Sequence, residues 1–184
     1  MSELTVATRY AKSLIDLAQE QNNLEVIYKD MVFFVDTLKA NAQLAAVLRN
    51  PIVSHDKKIK ILEALFGGKV NKATIAFFKI MINKSRGQIL YPTGQEFINQ
   101  YNILKHIVKA SVISAAPLSE ANKQQIISEV KKAAGGEVML QTKVDPSLIG
   151  GFVLKVGDRQ IDTSIATDLK KLKKDFAVKV IPLN

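Results

Sequence analysis

Lys105-His106-Ile107-Val108-Lys109-Ala110-Ser111-Val112-Ile113-Ser114 is where the chain changes its period. From Ile107 to Ser114 it is β-branched and alternating, the pattern of a half-buried strand. Everything before this stretch has helical spacing, and strand-like segments occur only from it onward. The reading is therefore a helical bundle over residues 1–105 followed by a small strand-and-helix domain over residues 106–184, an α plus α/β chain.

Working backward from Lys105, six helices are expected, joined by short loops. Val6, Tyr10, Leu14, Leu17 and Ala18 form one stripe over Thr5–Glu20. Leu24, Ile27, Tyr28, Met31, Val35 and Leu38 form the next. A short helix carries Leu44, Val47 and Leu48 and ends at Asn50-Pro51, since proline disfavours the helical conformation in the residue before it. Ser54 is a candidate cap for a helix with Ile59, Leu62, Leu65 and Phe66 on its apolar face, stopped by Gly67-Gly68. Asn71 caps a strongly apolar helix with Thr74, Phe77, Phe78, Met81 and Ile82, and the last runs from about Tyr91 to Lys105 with Pro92 in its first turn.

Working forward, Ala115-Ala116-Pro117-Leu118-Ser119 breaks the first strand, and Ser119 can cap a helix carrying Ile126, Ile127 and Val130 that closes at Gly135-Gly136. Val138–Val144 alternates again, and Phe152–Val156 is a third strand. Gly157-Asp158 supplies turn chemistry for a short fourth strand, Gln160–Asp162. A final helix from Ser164 puts Ile165, Leu169, Leu172 and Phe176 on one face, with Lys170, Lys171, Lys173 and Lys174 toward solvent.

The composition excludes several classes. With 47% hydrophobic and 23% charged residues in 184, the chain is not disordered in the main. The absence of cysteine excludes a disulfide framework, a thiolate zinc site and a cysteine nucleophile. No apolar run approaches the ~20 residues of a spanning helix. The start, Met1-Ser2-Glu3-Leu4-Thr5-Val6, has neither a signal-peptide nor a transit pattern, so a soluble cytoplasmic-type chain is expected. The net charge of +9 is spread, 14 basic against 9 acidic residues up to Lys105 and 12 against 8 beyond it. A spread excess weakens a nucleic-acid reading, yet a basic nucleic-acid-binding module is the alternative that the C-terminal lysines keep open.

A search for reaction chemistry returns little. His55 and His106 each lack a neighbouring cluster of ligand-type residues. Phe66-Gly67-Gly68-Lys69-Val70 lacks the hydroxyl residue that a phosphate loop places after its lysine, and no strand precedes it. Gly150-Gly151 precedes a strand instead of opening a helix, so it is not a dinucleotide fingerprint. No catalytic residue, metal ligand or cofactor cradle emerges, and a binding or structural protein is expected in place of an enzyme.

Three segments in register resemble one family. Val144-Asp145-Pro146-Ser147-Leu148-Ile149-Gly150-Gly151-Phe152-Val153-Leu154-Lys155-Val156-Gly157, followed by Ile161-Asp162-Thr163-Ser164-Ile165, resembles the signature of the delta subunits of rotary ATP synthases, whose mitochondrial counterpart is the oligomycin-sensitivity-conferring protein. Ala7-Thr8-Arg9-Tyr10-Ala11-Lys12-Ser13-Leu14 is similar to the family's first helix, and Ser114-Ala115-Ala116-Pro117-Leu118-Ser119 to its domain junction. The loop at Arg86 also fits. One departure is His106, where the family often carries a glycine shortly before the first strand.

The resemblance implies a non-catalytic stator subunit of an F-type ATP synthase, without cofactor or metal. Its helical domain would grip the N-terminal helix of an alpha subunit, and its smaller domain would meet the b subunits of the peripheral stalk. Such a protein keeps the catalytic head from turning with the rotor while proton flow drives ATP synthesis. It would sit peripherally on the cytoplasmic face of a bacterial cell membrane, attached only through its partners, in single copy and monomeric when isolated.

The first and fifth helices are apolar on more than one side, so each is either central in the bundle or shared with a partner. The resemblance favours an alpha-helix groove between them, over Val6, Tyr10, Leu14, Thr74, Phe77, Phe78 and Met81. The signature residues Asp145, Pro146, Gly150, Gly151, Phe152, Gly157, Asp162 and Ser164 are expected to serve mainly the fold: a rigid Asp-Pro turn, close backbone approach at the glycines, and helix capping.

Overall fold

The computed structural model describes residues 3–179, and the chain falls into two compact units, Met1–Leu104 and Lys105–Asn184. The first holds six helices: α1 (Glu3–Glu20), α2 (Leu24–Ala40), α3 (Ala42–Arg49), α4 (His55–Phe66), α5 (Lys72–Asn83) and α6 (Leu90–Leu104). A 3₁₀ turn at Gly87–Ile89, which the sequence pattern does not announce, leads into α6. No single described helix is long and apolar enough to cross a membrane.

Asparagines set two of the helix starts. Asn41 accepts the Leu44 N–H at 3.1 Å to open α3, and Asn71 accepts the Ala73 N–H at 2.9 Å to open α5. Ser54 does stand at the N-cap of α4 in extended conformation, but its side chain makes no capping hydrogen bond. A second device fixes α5. Asp30, in the apolar stripe of α2, is buried, and its Oδ2 accepts both the Asn71 N–H and the Thr74 hydroxyl at 2.7 Å. One carboxylate thus satisfies an amide just ahead of α5 and lies where the helix dipole favours negative charge.

Aromatic rings fill the centre. Phe34 lies 4.5 Å from Phe78 and 5.4 Å from Phe66 between ring centroids, and all three are at most 1% exposed. Helix α6 packs chiefly on α1 and α2, and Gly94 permits the closeness: a Cβ there would stand 2.9 Å from a methyl of Val35. The face of α4 differs from the sequence reading. Lys58, Leu62 and Phe66 are its buried residues, while Leu65 is exposed. A strict four-residue step from Phe66 leads to Leu62 and Lys58, so geometry, not hydrophobicity, selects the stripe.

The second unit is a four-stranded sheet with two helices. Strands β1 (Ile107–Ser114), β2 (Glu137–Val144), β3 (Phe152–Val156) and β4 (Arg159–Asp162) lie in the order β2-β1-β3-β4. The first two are parallel, linked by α7 (Glu120–Ala134); β3 is antiparallel to both β1 and β4. Ser119 caps α7 by accepting the Asn122 N–H at 3.2 Å, and Gly135 ends it in the left-handed conformation, φ 72°. Ala110 stands opposite Leu140 and Val156, and Val112 opposite Thr142 and Leu154, so these side chains share one face of the sheet. The last helix, α8 (Ile165–Lys179), follows β4. His106 enters β1 at φ 52°, a conformation that explains why glycine suits this position.

Candidate functional site

Two regions concentrate the residues singled out by sequence. The first lies between α1 and the end of α5. Tyr10 is half-buried, and its ring meets Phe77 edge-on at 6.3 Å. Arg86, just beyond α5, stacks its guanidinium 5.1 Å from the centre of the Tyr10 ring and donates from Nη1 to the Tyr10 hydroxyl at 2.8 Å. Cation–π attraction and the hydrogen bond, both from Arg86, together hold the ring.

The seven groove residues divide by burial. Leu14, Thr74, Phe78 and Met81 are at most 1% exposed: Phe78 belongs to the aromatic centre, and Thr74 gives its hydroxyl to Asp30. Phe77 is 8% exposed, and Val6 and Tyr10 are half-buried. Val6 and Tyr10 share a helical stripe with Leu17, which is exposed. The accessible part of this region is therefore Val6, Tyr10, Leu17 and the edge of Phe77, with Arg86 beside them.

The second region is the junction of β1, β3, β4 and the start of α8. Asp145 donates its N–H to the Ser114 carbonyl at 2.9 Å and accepts the Ser147 N–H on Oδ1 at 3.0 Å, opening a 3₁₀ turn at Pro146–Leu148. That hydrogen bond holds the Asp145 carboxyl below the usual aspartate range. The glycine pair admits close backbone. Gly151 has φ 75°, and a Cβ on it would stand 2.1 Å from the Thr163 carbonyl oxygen; one on Gly150 would stand 2.5 Å from Ile165 Cδ1.

From the other side, the Phe152 carbonyl accepts both the N–H and the hydroxyl of Thr163, at 3.0 and 2.9 Å. Asp162 accepts the Ser164 N–H at 2.9 Å and the Thr167 hydroxyl at 2.8 Å, and these bonds lower its pKa, the Ser164 contribution first. Ser164 is fully buried, and its oxygen accepts the Thr167 N–H at 3.3 Å. Gly157, φ 56°, turns β3 into β4. The signature residues thus bind one another and aim α8; their donors and acceptors face inward to the junction.

What this junction presents is α8 itself. Ile165, Leu169, Leu172 and Phe176 share its face as expected, yet they are 47%, 50%, 50% and 64% exposed. Lys170, Lys171, Lys173 and Lys174 are exposed alongside. An apolar stripe flanked by cations matches an amphipathic helix with acidic flanks. Sequence reasoning missed Asp30; its one available signal was an acid set in an apolar stripe. Among the described residues no group of three or more histidine, aspartate or glutamate side chains could hold a metal ion.

Residues 6–176 match the family described as ATP synthase delta (OSCP) subunit. A protein of Cytophaga hutchinsonii named ATP synthase subunit delta is 40% identical over 181 residues, 98% of this chain and 99% of its own length. One of the same name from Amoebophilus asiaticus is 37% identical over 182 residues, covering 96% and 97%. In fold the chain is similar to a chain of the Toxoplasma gondii mitochondrial ATP synthase hexamer, with a TM-score of 0.71 at 24% identity over 96% of this chain and 98% of that one.

Proposed function

The chain belongs to the ATP synthase delta (OSCP) subunit family, and from that premise we propose that it is a non-catalytic stator subunit joining the catalytic head to the peripheral stalk. The helical unit receives the N-terminal helix of an alpha subunit across α1 and α5. The sheet unit meets the b subunits through α8. Rotation driven by protons then produces ATP instead of turning the head, and membrane attachment is indirect, on the cytoplasmic face.

The observation that best supports the first contact is Tyr10. It is a half-buried aromatic whose position is set by Arg86 and Phe77, so a partner helix meets a pre-oriented ring and loses little entropy on contact. The test is affinity of the full-length protein for an alpha-subunit N-terminal peptide. Tyr10→Ala should weaken binding by more than tenfold, about 1.4 kcal/mol or more, with only a modest change in melting temperature. Unchanged affinity would remove α1 from the interface. Retention on DNA at physiological salt, with no capture of alpha or b subunits, would instead favour the nucleic-acid reading.

A further inference from the structure

Lys58 lays its stem in the buried stripe of α4 and opens its ammonium onto a cavity. It is 5% exposed, and no carboxylate or carbonyl among the described residues takes a hydrogen bond or ion pair from it. Partial desolvation draws the lysine pKa below its ordinary value.

The side chain lines a cavity of about 150 Å³ bounded also by Arg49, His55, Ser85, Gly87 and Gln88. Gly87 forms the wall next to the amine: a Cβ there would come within 3.4 Å of Lys58 Nζ and 2.9 Å of the Leu48 carbonyl oxygen. Three side chains able to carry positive charge converge, and no carboxylate is among the lining residues. Asp56, on the same helix turn, is exposed and does not line the cavity. Ser85 and Gln88 add neutral donors, with Ser85 Oγ 3.4 Å from His55 Nε2. The cavity also adjoins the start of α4, where Ser54 supplies no side-chain cap to the first amides.

We propose that this cavity binds a small tetrahedral oxyanion of the inorganic phosphate class, held by Lys58 and Arg49 with His55, Ser85 and Gln88 completing its shell. The cavity is roomy enough for one such ion together with water, since a single water needs only about 10–15 Å³ of such space. The anion supplies the charge that Lys58 lacks, and it links the α3–α4 turn to the segment after α5.

The test is a titration of the full-length protein with inorganic phosphate against potassium chloride at matched ionic strength, read by backbone amide shifts and melting temperature. Saturable shifts confined to residues 49–58 and 85–88 are expected, with a melting temperature that rises with phosphate. Arg49→Gln, at an exposed position, should weaken phosphate about tenfold, the loss of one charge-assisted hydrogen bond. Lys58→Met should abolish the response while keeping the packing of the stem, and Lys170→Gln should leave it intact. Sulfate should compete; acetate should not. The site is refuted by any of these: no response beyond that to chloride, shifts spread over the α8 lysines, an unaltered response in Arg49→Gln and Lys58→Met, or acetate acting as well as phosphate.

Discussion

In the helical unit Phe34, Phe66, Phe78 and Phe97 are all fully buried, whereas the fully covered apolar side chains among the described residues of the sheet unit are Ala110, Val112 and Val130. The difference is architectural. Six helices surround one another, so each offers its stripe to a neighbour. A four-stranded sheet has two faces, and α7 packs chiefly against β2, at one side of it. Over β3 and β4 the flank of α7 leaves an open groove of about 520 Å³ lined by Val130, Leu154, Val156 and Ile161. The helical unit supplies its own cover, and the sheet unit depends on tight backbone contacts and retains apolar surface.

The largest effect should come from the aromatic centre. Phe34→Ala removes the ring that touches both Phe66 and Phe78, and should cost about 3–5 kcal/mol, read as a lower urea midpoint for the helical unit. A loss below about 1 kcal/mol, of the size seen at surface sites, would erase the contrast between the units.

Next is the sheet unit's dependence on close backbone. Gly151→Ala forces a Cβ into a left-handed residue and against the Thr163 carbonyl, and should cost about 2–3 kcal/mol. Faster hydrogen exchange at the β3 and β4 amides, with α1–α6 unaffected, is the expected signature. Uniform exchange rates in wild type and variant would show that the junction is not what secures the strands.

A pH effect sharpens the same point. Asp162 is held below its ordinary value of 3.8 by bonds made only in the folded state. That stabilisation is fully present above the unfolded pKa and fades as pH falls through the folded one, with Asp145 acting in the same direction. Acid unfolding of the sheet unit should therefore set in below about pH 4 and become shallower in Asp162→Ala. An acid transition of unchanged steepness in that variant would assign the effect elsewhere.

The smallest stability change should be at α8. Leu172→Ala, at a half-exposed residue, should stay within about 0.5 kcal/mol yet reduce capture of b subunits in a pull-down. A large loss of stability would mean that the stripe is covered by the chain itself.

Much of the fold was legible because it is written in spacing. The change of period at Ile107, the asparagine and serine at helix starts, and the glycines at helix ends all act through local backbone chemistry that sequence displays directly. Burial was less legible. Tyr10 and Phe78 look alike in the pattern, but only the three-dimensional path of α2 turns Phe78 inward against Phe34. Lys58 and Asp30 were hidden for the converse reason. Hydropathy places both outside, and the four-residue helical step with a partner helix end places them inside. The signature glycines were readable as close approaches, though not that Gly151 approaches Thr163, a contact closed by the β3–β4 hairpin.

Strand β1 is central in space and first in time. During synthesis it leaves the ribosome ahead of both neighbours, and β3 begins about 40 residues after β1 ends. At ordinary elongation rates that interval lasts roughly 2–8 s, whereas an individual helix upstream forms within about a microsecond. Both edges of Ile107–Ser114 stay unpaired until β2 emerges, and the edge that β3 will cover stays open for the whole interval. An unpaired strand is a template for another like it. Crowding on a polysome, more than the finished sheet, is thus where one copy of this chain is most open to pairing wrongly with the next.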